Sequence, residues 1–204
     1  MNINLNKIFP TPIWSADLDI NNKELYDWCK ELQKVDSGKT LSNHNGWHSN
    51  DIFLEQCFDV NPLKDLFFAI LEISNQAVID FNYKNTNKIL KVANTWVNIN
   101  NTKECYNEIH VHPNTTFSGV YYVKCNENSG SLNFHRNFYE RFLIWCHGKV
   151  EEPSELSAEV EIYKPLEGRL LLFPSYLPHS VGNNLDDSER VSISFNVIYS
   201  GWEM

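Results

Sequence analysis

The sequence predicts a mostly β protein, a double-sheet jelly roll with flanking helices. Beyond residue 88, short segments rich in β-branched and aromatic residues alternate with Asn, Gly and Pro, which is typical of an all-β core. Before that point, two stretches carry apolar residues at three- and four-residue spacing, which indicates amphipathic helices. Because the 204 residues contain no repeat or linker, we expect one domain, with a helical flank and lid loop over 1–88 and the β core over 89–204.

The composition restricts the class of partner. With 42% hydrophobic and 21% charged residues, the chain has an ordinary globular composition. A net charge of −9 argues against nucleic acid or an anionic membrane as the main partner, since both require clustered Lys and Arg. No apolar run approaches the roughly 18 residues of a membrane-spanning helix, and no signal peptide is recognisable. We therefore expect a cytoplasmic protein, and the many aromatic residues leave room for a homodimer contact.

Cysteine usage points to the same compartment. The five cysteines are widely spread and form no CxxC pair, so neither a disulfide framework nor a zinc–thiolate site is indicated. They are Cys29, Cys57, Cys105, Cys125 and Cys146. Small buried apolar residues are the simplest interpretation.

The N-terminal part reads as an extended segment, a helix, a loop and a second helix. Two prolines favour extended backbone over Phe9–Trp14. Apolar spacing predicts helices over about Asn22–Lys34 and Pro62–Asn82. The stretch 36–51 is rich in Ser, Asn, Asp and Gly and is expected to be a loop, in which His48 is either a solvated residue or part of a substrate entrance.

Eight strands are predicted after the second helix. They span about 89–99, 106–112, 117–125, 131–135, 159–163, 169–173, 178–182 and 190–199. Eight short strands suit a jelly roll whose two sheets enclose a ligand, with the helices packed on one face. A segment crowded with aromatic residues between His135 and His147 is either a substrate-facing insert or a satellite hydrophobic cluster.

A pair of histidines separated by one residue lies at the end of a predicted strand. Residues two apart on a strand point to the same face, so His110 and His112 can direct two neutral nitrogens at one metal ion. An isolated pair of this kind more often hydrogen-bonds in a polar patch. The second half of the pattern is more specific, because an apolar strand leads through a Pro-bounded turn to His179, and Arg190 opens a further strand eleven positions later.

Arg190 can bind a carboxylate through its planar guanidinium, and inside a barrel it would need an anionic partner. The alternative is a surface arginine paired with Glu189 or Asp187. Ser192 lies two residues on and therefore on the same strand face, where its hydroxyl can reach the same carboxylate. Tyr121 is a candidate for a third contact, although a barrel tyrosine is as often part of the core.

These residues resemble the 2-oxoglutarate and Fe(II)-dependent oxygenases, in particular a branch of oxygenases found in marine bacteria and their phages. The resemblance extends over most of the chain. Its motifs are FPTPIW from Phe9, GWHS from Gly46, Trp96-x-Asn98, HVHPN from His110, SGVYYV from Ser118, GSLNF from Gly130, LLFPSYLPHSV over Leu171–Val181 and RVSISFNV from Arg190.

The resemblance implies a double-stranded β-helix that holds Fe(II) between its sheets. His110 matches the first histidine of the family's HxD or HxE pair, and His179 matches its distal histidine. His112 occupies the carboxylate position, which gives a three-histidine face in place of two histidines and one carboxylate. Glu108, Asp186 or Asp187 would be the carboxylates available instead.

The resemblance also implies the reaction. Arg190 would bind the distal carboxylate of 2-oxoglutarate, and dioxygen would convert this cosubstrate to succinate and CO₂ while an unactivated carbon of an unknown prime substrate is hydroxylated. Two other functions are compatible with the sequence. One is a non-catalytic metal-binding module of the cupin type, and the other is a three-histidine dioxygenase that does not use 2-oxoglutarate.

Overall fold

A computed structural model describes residues 1–83, 89–145 and 150–200. Its strands are β1 (Trp14–Asp17), β2 (Asn43–His44), β3 (Trp47–His48), β4 (Ile89–Asn100), β5 (Tyr106–His110), β6 (Phe117–Lys124), β7 (Leu132–His135), β8 (Val160–Tyr163), β9 (Arg169–Pro174), β10 (His179–Val181) and β11 (Arg190–Ser200). Its helices are α1 (Asn22–Val35), α2 (Asn61–Asp80) and α3 (Phe138–Trp145), with a 3₁₀ turn at Leu54–Gln56.

The strands form two antiparallel sheets. The six-stranded sheet has the order β1-β9-β6-β11-β4-β3, and the five-stranded sheet has the order β2-β5-β10-β7-β8. Apolar side chains from both sheets, such as Val120 and Phe173 from one and Leu132 and Phe134 from the other, share one buried cluster. The predicted jelly roll with flanking helices is confirmed, and the eight predicted core strands agree with β4 to β11 within two residues at each end.

The larger sheet separates the main core from the space between the sheets, because side chains on a strand alternate between its two faces. On β11, the odd-numbered residues Val191, Ile193, Phe195 and Val197 are buried in the main core, which is shared with α1 and α2. The even-numbered residues Arg190, Ser192, Ser194 and Asn196 line the cavity between the sheets. One strand therefore carries both core and cavity residues.

Local sequence explains where the two long helices begin. Asn21 is the N-cap of α1, where its side-chain oxygen accepts a hydrogen bond from the Glu24 backbone N–H at 3.2 Å. Pro62 lies in the first turn of α2, where its missing N–H has no intrahelical partner to lose. Both helices agree with the predicted ranges within a residue or two.

The first 88 residues are more than a helical flank, since three strands in this part join the sheets. β1 extends the larger sheet beside β9, and it begins at Trp14, the last residue of the segment predicted to be extended. The stretch predicted to be a lid loop contains β2, which pairs with β5, and β3, which pairs with β4. We call residues 38–51 the strap, because this segment passes from one sheet to the other.

The turn of the strap depends on Asn45 and Gly46. Asn45 adopts a left-handed backbone conformation with φ of 58°, which asparagine tolerates better than most residues. A Cβ on Gly46 would lie 2.5 Å from the Asn100 side-chain oxygen, so any larger residue would force the turn away from β4. Two residues thus suffice to cross between the sheets.

Further expectations concern compartment and the aromatic segment. The four cysteines within the described ranges are free thiols, as expected. Over those same ranges, no helix is long and apolar enough to cross a membrane. The short helix α3, which was not predicted, occupies part of the aromatic segment, whereas Cys146 and His147 lie outside the described residues.

Candidate metal centre

Three histidines converge in a cavity of about 440 Å³ between the sheets. His110 ends β5 and His179 begins β10, and the two are direct partners in the antiparallel ladder. His112 follows β5, where its backbone N–H donates to the Ser175 carbonyl at 3.0 Å. One ligand nitrogen from each ring lies within 4.8 Å of the others. The distal histidine is thereby brought opposite the HxH pair.

The Nδ1 atom of each histidine ring already has a hydrogen-bond partner. Nδ1 of His110 lies 2.7 Å from the Glu108 carbonyl, and Nδ1 of His179 lies 2.9 Å from the Leu177 carbonyl. Nδ1 of His112 lies 2.5 Å from the side-chain oxygen of Asn196. Because these oxygens only accept, each Nδ1 carries the proton and each Nε2 keeps its lone pair. The three rings therefore present the atoms that a metal ion requires.

The electrostatics also favour neutral rings. Burial lowers the pKa of His110 and of His112, although the hydrogen bond to Asn196 partly opposes this for His112. Burial together with the neighbouring His110 lowers the pKa of His179 to about 3. A neutral imidazole is the form that binds a divalent metal ion, so these ligands are in the binding form at neutral pH.

The carboxylates considered as alternative ligands are engaged elsewhere. Glu108 is exposed and lies 2.8 Å from Nε2 of His44. Asp186 accepts hydrogen bonds from Ser188 and Asn128, and Asp187 accepts one from the Lys103 backbone N–H at 3.1 Å. In the described part of the chain, the three histidines are the residues whose ligand atoms lie close enough together to hold a metal ion.

Arg190 is 2% exposed and lines the same cavity. Its Nη1 donates to the Ser192 hydroxyl at 3.3 Å, and no described residue lies at hydrogen-bond distance from its Nε. Within the described ranges, no carboxylate lies at ion-pair distance from its guanidinium. Glu189, one of the two surface partners considered, instead accepts from Lys30 at 2.7 Å. A buried cation without a counter-charge is costly, which indicates a site for an anion.

Tyr121 does not line this cavity, which corrects its proposed role. Its side chain faces the main core, where its hydroxyl donates to the Asn22 side-chain oxygen at 2.6 Å. The next residue, Tyr122, points the other way, and its ring centroid lies 5.2 Å from the Arg190 guanidinium carbon. The buried Tyr122 hydroxyl has no hydrogen-bond partner among the described residues. Tyr122 is therefore the tyrosine beside Arg190, although, like Tyr121, it is not among the residues that line the cavity.

His48 is buried at 5% exposure, which corrects the expectation of a solvated loop residue. Pairing of β3 with β4 places it in the cavity wall, where its ring stacks on Trp96 with centroids 5.6 Å apart. Its Nδ1 lies 2.7 Å from the Ser49 carbonyl. His135 lies on β7 with its Nε2 2.8 Å from the Ser180 hydroxyl, and it does not line the cavity.

Comparisons with known proteins place these features in context. The profile of the family described as "Putative 2OG-Fe(II) oxygenase" matches residues 94–196, about half of the 204-residue chain. That range contains the three histidines, Arg190 and Ser192. No curated protein sequence matches significantly.

Several solved structures share the fold. A prolyl-4-hydroxylase from Pseudomonas putida is 11% identical with a TM-score of 0.64, and the match covers 94% of each chain. A prolyl hydroxylase from Trichoplax adhaerens, in complex with a hypoxia inducible factor peptide fragment, is 16% identical with a TM-score of 0.61 over 92% of this chain and 83% of that one. HygX from Streptomyces hygroscopicus, with nickel and 2-oxoglutarate bound, is 12% identical with a TM-score of 0.56 over 94% and 84%.

Proposed function

Since this chain belongs to the family of 2OG-Fe(II) oxygenases, we propose that it hydroxylates an unactivated carbon of a prime substrate. In this proposal, His110, His112 and His179 hold Fe(II), and Arg190 with Ser192 binds the distal carboxylate of 2-oxoglutarate. Bound together, Fe(II) and 2-oxoglutarate supply an oxidising centre, because dioxygen converts the cosubstrate to succinate and CO₂ as the substrate carbon is oxidised.

The proposal rests on two features of one cavity, a set of three histidine ligands and a buried arginine. One ligand nitrogen from each of the three rings converges on the same point, and the buried guanidinium has no anionic partner among the described residues. A structural metal site would have no use for Arg190. A compound with a chelating group at one end and a carboxylate at the other fits both sites, and 2-oxoglutarate is such a compound.

The protein residues have separable roles in this scheme. Arg190 and Ser192 line the cavity and orient the cosubstrate by its distal carboxylate, while the Tyr122 ring packs beside the Arg190 guanidinium. The Nδ1 hydrogen bonds hold each imidazole in one orientation and tautomer. Apolar side chains line the cavity between these two ends and exclude water from it; they are Val120, Leu132, Phe173 and Val181.

His112 distinguishes this site from the usual two-histidine, one-carboxylate face. With imidazole in place of a carboxylate, the ligand set brings no negative charge to the metal ion. Its hydrogen-bond partners, Asn196 and Ser118, are also neutral. The site therefore favours anionic oxygen donors, such as those of an oxoacid, more than a carboxylate-containing face would.

The test is an anaerobic titration of the Fe(II)-loaded protein with 2-oxoglutarate, followed through the weak visible charge-transfer band of the chelate. We expect a band in the native protein and its loss in His112→Ala and Arg190→Ala. Arg169→Ala is the matched control, because Arg169 pairs with Asp17 at the surface, 2.7 Å away. A band unchanged in Arg190→Ala would remove the cosubstrate assignment.

The same titration separates the alternatives. Iron binding without a band, combined with oxygen consumption in the absence of 2-oxoglutarate, would indicate a dioxygenase that binds its substrate directly. Iron binding without either would indicate a non-catalytic module. We also propose a cytoplasmic location, which the free thiols of the described cysteines support.

A further inference from the structure

The strap contributes an ion pair to the mouth of the cavity. Nζ of Lys39 lies 2.9 Å from Oδ1 of Asp51, and both side chains are partly exposed. Asp51 also accepts a hydrogen bond from the Asn94 amide at 3.2 Å. Although burial opposes ionisation, the hydrogen bonds from Lys39 and Asn94 hold the pKa of Asp51 below its ordinary value. The pair therefore presents two full charges at neutral pH.

Lys39 and Asp51 differ in charge from most other residues that line the cavity. Apart from Arg190, the other side chains that line the cavity within the described ranges are uncharged, or are histidines. Arg190 is assigned to the cosubstrate, so the remaining cavity presents one positive and one negative group side by side. A ligand with a single charge would satisfy one member of this pair and leave the other without a partner.

We propose that the pair recognises a free α-amino acid as the prime substrate, with its carboxylate at Lys39 and its ammonium group at Asp51. This inference rests on the proposed function. In an α-amino acid, the nitrogen and the carboxylate oxygens lie about 3 Å apart across the α-carbon. That spacing matches the separation of Nζ and Oδ1, so the substrate adds two ion pairs, arranged head to tail, while the internal pair stays in place.

The cavity wall next to the ion pair suits the side chain of an amino acid. Because Nδ1 of His48 donates to the Ser49 carbonyl, its Nε2 keeps the lone pair and can accept a hydrogen bond. The Trp96 ring stacks on His48 and lies 5.5 Å from the His112 ring, between centroids, so an apolar surface extends from the strap to the metal face. A cavity of about 440 Å³ lies near the lower end of ligand sites, roughly 300–1,000 Å³, which favours a small substrate beside the cosubstrate.

The first experiment uses ligands and needs no variant. The anaerobic protein with Fe(II) and 2-oxoglutarate is titrated with each of the common amino acids, following the visible band and the thermal midpoint. Each amino acid that binds is then compared with its N-acetyl and carboxamide derivatives. We expect at least one free amino acid to bind, with a Kd at least ten-fold lower than that of either derivative.

Variants that remove one charge test the carboxylate contact and the ammonium contact separately. Lys39→Gln should abolish the preference for the free acid over the carboxamide while keeping the preference over the N-acetyl compound. Asp51→Asn should do the reverse. The control is the exposed pair Lys23 and Asp27 on α1, whose Lys23→Gln and Asp27→Asn variants should keep both preferences.

Three results would overturn the inference. The first is a normal 2-oxoglutarate band with no binding of any amino acid, which would leave the proposed function intact. The second is binding whose selectivity is unchanged in Lys39→Gln and Asp51→Asn, even if both variants lower the thermal midpoint, because the pair would then only fasten the strap. The third is absence of the band itself, which would remove the proposed function and this inference with it.

Discussion

Arg190 should stabilise the ligand complex and destabilise the ligand-free protein, and the variant Arg190→Met separates these effects. Methionine has a similar length but no charge and no polar hydrogen. In the ligand-free protein, the guanidinium is buried and donates a hydrogen bond to Ser192, and it has no counter-charge among the residues that the structure describes. Replacing buried ionic groups with apolar ones of similar volume is commonly neutral or stabilising by about 1–4 kcal/mol.

The loss of the single hydrogen bond to Ser192 subtracts about 1 kcal/mol from that gain. The net gain is then about 0–3 kcal/mol. For a protein of this size, each kcal/mol moves the thermal midpoint by about 2–4 °C, so we expect a rise of at most roughly 12 °C in the metal-free protein. Cosubstrate binding should change in the opposite direction. Truncating one partner of a buried charge pair costs about 2–5 kcal/mol, a loss in 2-oxoglutarate affinity of roughly 30- to 4,000-fold.

Two assays on the same preparation check this prediction. Thermal or urea unfolding of the metal-free protein gives the change in stability, and anaerobic titration with Fe(II) present gives the Kd for 2-oxoglutarate. Arg169→Met serves as the control, because its exposed pair with Asp17 should contribute at most about 1 kcal/mol and nothing to binding. A destabilised Arg190→Met protein with unchanged affinity would refute the reasoning, since Arg190 would then be a structural residue.

Three further predictions concern other residues of the same region. Tyr122→Phe should weaken 2-oxoglutarate binding about five- to ten-fold, the value of one hydrogen bond, whereas Tyr121→Phe should lower stability by about 1 kcal/mol and leave that Kd unchanged. Asn196→Ala should weaken the affinity for a divalent metal ion about 10–100-fold, measured by competition with a chelator, because the His112 ring loses one of its two orienting partners and keeps only Ser118; unchanged affinity would contradict this. Burial opposes ionisation of Glu189, but its lysine and tyrosine partners hold its pKa below the ordinary value. Its contribution is therefore present above about pH 4.5 and lost on further acidification, so urea unfolding should show the stability difference from Glu189→Gln shrinking below that pH.

The fold could be predicted because its signals are local. Each core strand is a short β-branched or aromatic run between turn residues, and each long helix has its own apolar spacing and start signal. Two elements had no such signal. The strap is polar in composition, and its two short strands form only because β5 and β4 offer free edges. Helix α3 lies in an aromatic segment with no clear period.

The site could be predicted in part. His110 and His112 share a face because side chains alternate along a strand, which follows from their spacing. His179 was assigned through the family resemblance, because the β10–β5 pairing that brings it to the other two has no local signal in the sequence. The choice between Tyr121 and Tyr122 had no local signal, because β6 is buried on both faces and its apolar run shows no alternation. His48 could not be placed, because its burial results from a contact with residues about fifty positions away.

The two faces of β11 have a consequence for which sequence changes this protein can tolerate. Because side chains alternate strictly, inserting or deleting one residue inside the stretch 190–197 would exchange the cavity face for the core face. Charged and polar groups would then enter the helix-packed core while Val and Phe entered the ligand cavity. Length variation among relatives should therefore be excluded from this strand and concentrated in connections such as 150–159. A change in the length of β11 would therefore damage ligand binding and folding together.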